Sequence, residues 1–382
     1  MVASGPLRGV RVLELAGIGP GPFAVMMLSD MGADVIRVDR AADVDPARFG
    51  TPHPDVLHRG RRSLGVDLKT EAGRDLVRDL AGRADVLIEG FRPGVAERLG
   101  VGPDDCHAVN PSLVYGRMTG WGQDGPLAER AGHDIDYLAI TGALHGIGRA
   151  GERPVPPMNL LGDFGGGGMM LAFGVLAALL AVRNGQPGQV VDAAIVDGVA
   201  ALTTAVYGLR GIGLWGDDRG ANLLDGAAPF YDTYECADGR YLAVGAIEPK
   251  FFAELVEATG MTGPAADGAA RYDAGTWDAS RVDWAALFRT RTRDEWDAIL
   301  AGTDACVAPV LDWREAPRHP HMAARGTFTR VAGIEQPAPA PRLSGTPGAI
   351  QRPPAHPGEH TDEILIELGL DPAVLRATRA VA

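Results

Sequence analysis

Short apolar runs separated by amphipathic stretches fill the first half of the chain, the pattern of a parallel sheet flanked by helices. Residues 10–15 (Val-Arg-Val-Leu-Glu-Leu) read as a buried strand, 23–31 as a helix stopped by Gly32, and 35–39 as a second strand, so the chain opens on a β-α-β unit. Further strands are predicted at 63–69, 84–89 and 114–120, with a strand-like run at 188–195. The apolar run 169–183 predicts a helix. The four glycines at 165–168 before it are expected to lie outside any helix interior, where glycine is destabilising. Residues 196–215 predict one long helix leaving this region. The runs 229–234 and 240–245 alternate like antiparallel strands about a turn at Asp238-Gly239.

The predicted class is α/β: a Rossmann-like parallel-sheet large domain plus a smaller α+β domain. The large domain takes residues 1–195, a linker helix 196–225, and the small domain 226–330. A Pro-rich return and C-terminal helix at 331–382 rejoin the large domain. Thr361 is read as the cap of that last helix, with Asp362 and Glu363 in its first turn.

Composition narrows the classes. The chain has 382 residues, 46% of them hydrophobic, enough for two domains and a sizeable core. Its net charge of −13 argues against nucleic acid or an anionic membrane as a partner. Residues 1–8 lack the apolar run of a signal peptide, and the 169–183 helix is judged too short to span a bilayer. Cys106, Cys236 and Cys306 are odd in number and far apart, which fits neither a disulfide framework nor a metal site and suggests a cytoplasmic setting. The charge is uneven: residues 1–120 carry 15 basic against 16 acidic side chains, the remainder 21 against 33. An anionic ligand would therefore bind the first third.

Candidate chemistry centres on His133, in Gly132-His133-Asp134-Ile135-Asp136-Tyr137, and Asp163, in Asn159-Leu160-Leu161-Gly162-Asp163-Phe164. Both can serve as general bases near neutral pH if desolvated and aimed at a substrate. Asp163 is expected at or just before a helix start, where unpaired N–H groups favour a carboxylate; it could equally be a plain cap. Residues 17–39 suggest a dinucleotide fingerprint ending in Asp39, but Pro22 stands where its third glycine belongs, leaving an NAD-dependent oxidoreductase as a rival reading. Arginines recur at predicted strand ends: Arg37, Arg40, Arg61, Arg62, Arg92, Arg98 and Arg117. As a set they suit a ligand with several phosphates. Singly, each is as readily a surface charge, because the chain has only two lysines, Lys69 and Lys250. Glu248 precedes Pro249 at a predicted helix start and reads as an acid complementing the helix dipole. No histidine or cysteine spacing signals a metal.

These motifs, together with Leu224-Asp225-Gly226-Ala227-Ala228-Pro229-Phe230-Tyr231 and Ala246-Ile247-Glu248-Pro249, closely resemble the family III CoA-transferase group, and within it the branch that racemises 2-methylacyl-CoA thioesters. The resemblance implies an interlocked homodimer, an acyl-CoA substrate and no separate cofactor. His133 and Asp163 would stand on opposite sides of the α-carbon, His133 serving the S epimer and Asp163 the R epimer through an enolate. The Asp134 N–H would face the enolate oxygen, and Glu248 would orient His133, from its own or the partner subunit. Arg40, Arg92 and Arg98 would meet the phosphates of coenzyme A. Ile18, Val66, Asp67, Leu68, Lys69, Ile88, Glu89, Gly90, Arg117, Met118, Gly132 and Tyr137 would line the rest of its path. The rival within the fold is CoA transfer, with Asp163 as an acyl-carrying nucleophile. A non-catalytic acyl-CoA-binding regulator is the remaining alternative.

Overall fold

The computed structural model describes residues 4–382; residues 1–3 of the stretch inspected for a leader lie outside the described residues. The chain divides into two compact units, one formed by residues 4–141, 158–202 and 323–382, the other by 142–157 and 203–322.

The first unit runs β1 (Arg11–Leu15), α1 (Pro20–Asp30), β2 (Asp34–Arg40), β3 (Arg61–Val66), α2 (Glu71–Gly82) and β4 (Val86–Glu89). It continues through α3 (Val95–Arg98), α4 (Pro103–Val109), β5 (Val114–Thr119) and α5 (Asp134–Ile140). A π-helix (Leu160–Met169) then runs into α6 (Met170–Arg183), followed by β6 (Val190–Ala194) and α7 (Ile195–Leu202). The six strands form one parallel sheet in the order β3-β2-β1-β4-β5-β6. The order reverses between β1 and β4, where Val12 pairs with Val35 on one side and Val86 on the other. Parallel strands are covered on both faces, so they read as continuous apolar runs; Val12, Leu13, Val35, Ile36, Leu64 and Leu87 are all buried. Thr70 starts α2 by accepting the Gly73 N–H at 3.0 Å, and Leu76, Val77 and Leu80 on its inner face close the core.

The glycine run departs from expectation. Residues 165–168 are inside the π-helix, which with α6 makes one continuous helix, Leu160–Arg183. Packing overrides propensity: a Cβ on Gly166 would fall 2.8 Å from the Val199 N of α7, one on Gly168 2.8 Å from the Pro20 O of α1, and one on Gly198 1.8 Å from Gly166 O. At 24 residues this helix is also long and apolar enough to cross a membrane by length and composition, contrary to the shorter span read from sequence. It packs on β5, β6 and α1.

The second unit holds α8 (Thr204–Gly211), β7 (Tyr231–Glu235), β8 (Tyr241–Gly245), α9 (Pro249–Thr259), α10 (Trp277–Phe288), α11 (Arg293–Leu300) and β9 (Val307–Pro309). Its three strands pair antiparallel about an aromatic core of Phe230, Phe252, Trp284, Phe288 and Trp296. The single helix expected at 196–215 is two, α7 and α8, parted at Thr203, and the unit boundary falls there. Residues 142–157, placed by pattern in the large domain, group with the second unit, where Arg149 ion-pairs with Asp232 at 2.5 Å and Arg219 donates to His145 O at 2.8 Å.

After α12 (Pro320–Arg325), a hairpin of β10 (Phe328–Val331) and β11 (Ile334–Pro337), turned at Ala332 and Gly333 with φ of 49° and 83°, spans the expected border between the small domain and the Pro-rich return. The chain then closes with α13 (Thr361–Glu367) and α14 (Pro372–Ala377) on the first unit. His360, not Thr361, is the N-cap of α13. Thr361 is buried, and its hydroxyl accepts the Gly65 N–H and donates to Gly358 O, tying the return segment to β3.

Candidate active site

In open α/β sheets ligands bind beyond the carboxyl ends of strands where strand order reverses. A cavity of about 410 Å³ lies there, bounded by Glu14 and Leu15 of β1, Ile88 and Glu89 of β4, and Met118 and Thr119 of β5. His133 and Asp163 both line it.

Asp163 sits inside the first turn of the π-helix, which starts at Leu160, and not at or just before a helix start as the sequence suggested. Its position against the β1–α1 loop depends on Gly19, which has φ +70° and whose Cβ, if present, would lie 3.4 Å from Asp163 Oδ2. Burial holds the Asp163 carboxyl above the usual carboxylate range; the Asn159 amide, donating at 3.4 Å, and His133 pull it down, and Asp134 pushes it up. A half-buried carboxyl so raised is a better base than one in water.

His133 is the N-cap of α5, and its backbone N–H donates to Asp136 Oδ2 at 2.9 Å. Its side chain is exposed. Asp134 is the first residue of α5, so its N–H is among those without an intrahelical acceptor and available to an oxyanion. The Asp134 side chain turns away to Asp163, whose backbone N–H it accepts at 2.6 Å. Tyr137 Oη donates to Gly132 O at 2.6 Å, and its ring packs edge-on against Trp121. That ring occupies the space a side chain at Gly120 would need.

Of the remaining expected residues, Ile18, Ile88, Glu89, Gly90, Arg92, Met118, Gly132 and Tyr137 line the same cavity. Others do not. Arg117 is buried, held by Glu89 at 2.9 Å and Glu97 at 2.8 Å, so its guanidinium is a brace between β4, β5 and α3 rather than a ligand contact. Glu89 lines the cavity, but its carboxylate is engaged by Arg117 and by the Phe91 N–H, which it accepts. Val66 belongs to the core, bridged to Val381, and Asp67 donates its N–H to Ala380 O while its carboxylate caps Lys69 N. Leu68 packs on that core. Arg40 and Arg98 are exposed on β2 and α3. Glu248 belongs to the second unit, where it is the N-cap of α9, one residue earlier than a first-turn acid, and makes no capping hydrogen bond. Arg37, Arg61 and Arg62 are bound by Asp39, by Glu14, and by Asp34, Glu363 and Glu367. Sequence reasoning passed over Trp121 and Arg130; both line the cavity, and the basic residue three positions before His133 was the available signal.

A Rossmann-ordered sheet with an acid and a histidine over its switch point defines the class. The profile of CoA-transferase family III matches residues 7–361, and the chain belongs to that family. It is 46% identical over 366 residues to alpha-methylacyl-CoA racemase of Mus musculus and 45% over 369 residues to the Homo sapiens racemase, each alignment covering 95% of this chain and 93% of the relative. Among solved structures, a CaiB/BaiF family protein from Brucella suis superposes with a TM-score of 0.79 at 28% identity, covering 96% of this chain and all of that one.

Proposed function

We propose that the protein interconverts the R and S epimers of 2-methylacyl-CoA thioesters by moving one proton through an enolate. The observation that carries this reading is that His133 and Asp163 line a single cavity at the sheet's switch point. With the α-carbon between them, neutral His133 removes the proton of the S epimer, the electron pair enters the thioester carbonyl, and protonated Asp163 returns a proton to the opposite face; the reverse direction exchanges the roles. The raised Asp163 carboxyl helps it hold that proton, and the free N–H of Asp134 stabilises the oxyanion. Base catalysis contributes about 10²–10⁴-fold and an oxyanion donor about 10²–10³-fold, so the chemistry uses both and calls on no metal or redox group. The exposed arginines Arg40, Arg92 and Arg98 receive the phosphates of coenzyme A. The assembly is an interlocked homodimer in the cytoplasm. Phe173 and Leu180, exposed apolar side chains on α6, give it a contact surface, and Glu248 orients His133.

The test is incubation of one epimer in D₂O. Loss of optical purity with α-deuterium incorporation supports the reading. Unchanged configuration, with coenzyme A passed to an added acid and an aspartyl intermediate trapped by hydroxylamine, would establish transfer at Asp163 instead.

A further inference from the structure

We propose that the Asp134 carboxylate is a positioning residue: it clamps the first turn of the Asp163 π-helix to the helix that starts at His133, and so sets the distance between the two proton-transfer groups. This rests on the racemase reading above. Asp134 Oδ1 accepts the Asp163 N–H at 2.6 Å, across 29 residues of sequence, and the Gly162 N–H donates to the same carboxylate. A Cβ on Gly162 would fall 2.2 Å from that oxygen, so glycine is what lets the carboxylate reach the helix start. His133 precedes Asp134 by one peptide, fixing their Cα atoms about 3.8 Å apart. Any shift of the carboxylate therefore moves both bases relative to each other. Misplacement by about 1 Å can lower a rate 10²-fold.

The clamp also carries charge. Asp134 is an anion beside Asp163, and the other titratable group facing that carboxyl with an opposing effect is His133; Tyr137, on the same helix α5, also senses it. The elements packed on the far side of the π-helix, α1 and α7, present Pro20, Phe23, Ile195 and Val199, none of them titratable. Removing the Asp134 charge should thus let the Asp163 carboxyl fall towards its ordinary value.

The full-length protein and its Asp134→Asn, Asp134→Ala and Gly162→Ala variants would be compared for α-proton exchange of each epimer in D₂O, with kcat and KM against pH, and for thermal unfolding. Asp134→Ala is expected to lower kcat for both epimers by roughly 10²-fold with little change in KM. Asp134→Asn keeps an acceptor oxygen and should restore most of that rate while moving the acidic limb of exchange from the Asp163 side to lower pH. Gly162→Ala pushes the carboxylate away with Asp134 intact and should reproduce the alanine phenotype even if Asp134→Ala folds poorly. An unchanged kcat with only a lower Tm, a loss confined to KM, or failure of asparagine to rescue overturns the clamp. Absence of exchange in the unmodified protein would instead sink the racemase reading, and the clamp with it.

Discussion

Replacing Asp163 with asparagine keeps the shape of the side chain and leaves the backbone N–H bond to Asp134 untouched, but removes one of the two bases. Loss of a positioned general base is worth about 10²–10⁴-fold, or roughly 3–5 kcal/mol of barrier. Racemisation should fall by that factor in either direction, because inversion needs both faces. Exchange should not fall equally: His133 can still remove and return the proton of the S epimer from one side, so S substrate is expected to take up deuterium without inverting, while R substrate stays inert. Stability should move the opposite way. The folded-state carboxyl lies above its unfolded value because of burial, so its stabilising contribution is complete below the unfolded value of 3.8 and is lost as pH rises through the folded one. At pH 7 wild type therefore carries a penalty that asparagine lacks. The variant should melt at or above the wild-type temperature at pH 7, and the difference should vanish below about pH 4. The assays are proton NMR of each epimer in D₂O and thermal denaturation across pH. Near wild-type racemisation by Asp163→Asn, or inactivation accompanied by a lower Tm at pH 7, would refute the reasoning.

Arg61→Ala should destabilise by about 3–5 kcal/mol in chemical denaturation, because it strands the buried Glu14 carboxylate together with the Pro22 and Leu57 carbonyls; a change under about 1 kcal/mol would contradict the buried-pair reading. Arg92→Ala should raise KM for an acyl-CoA roughly 10–100-fold with an unchanged Tm, whereas Arg117→Ala should lower Tm; kinetics and melting of the two variants check the separation, and the reverse pattern would exchange their roles. Gly198→Ala drives a methyl into the Gly166 carbonyl and is expected to cost at least about 1–3 kcal/mol and to lower kcat by shifting the π-helix; a variant with wild-type Tm and rate would show that contact to be yielding.

The six parallel strands were legible because strands covered on both faces need no polar alternation, and runs such as 10–15 have few other uses. What was hidden is non-local. Glycine's poor helix propensity is a property of single residues, while the backbone approach that favours 165–168 in a helix is set by Val199 and Pro20, 30 and more positions away. The partners of Arg62 and Arg117 lie on other elements, Glu363 and Glu367 on α13 and Glu97 on α3, so sequence could not sort bracing arginines from free ones. The hairpin at 328–337 was hidden by an alanine in the left-handed region at its turn, a position where glycine or asparagine is the usual signal. His133 and Asp163 were found by motif, whereas their common cavity follows only from the fold.

The two bases are held very differently, and the difference bears on how the site is completed. Asp163 stands on the first turn of a 24-residue helix whose glycine-rich start meets α7 and α1 backbone to backbone. Four glycines raise the entropy cost of that helix by about 0.5–1 kcal/mol each, and the close packing they permit offsets it while leaving the carboxyl little freedom. His133 has no such bed: it caps a seven-residue helix and its side chain is exposed. An imidazole in water is neither aimed nor fixed in one tautomer, and exchange of its N–H with solvent would compete with delivery of its proton to carbon. The site therefore needs a second wall over His133 carrying an acceptor for its ring N–H. Glu248, exposed at the cap of α9 with its carboxylate free of capping bonds, has the right chemistry for that proposed acceptor. Glu248→Gln should then reduce exchange from the His133 side more than from the Asp163 side, measured as separate rates on S and R substrates. Equal losses on both faces would remove Glu248 from that role.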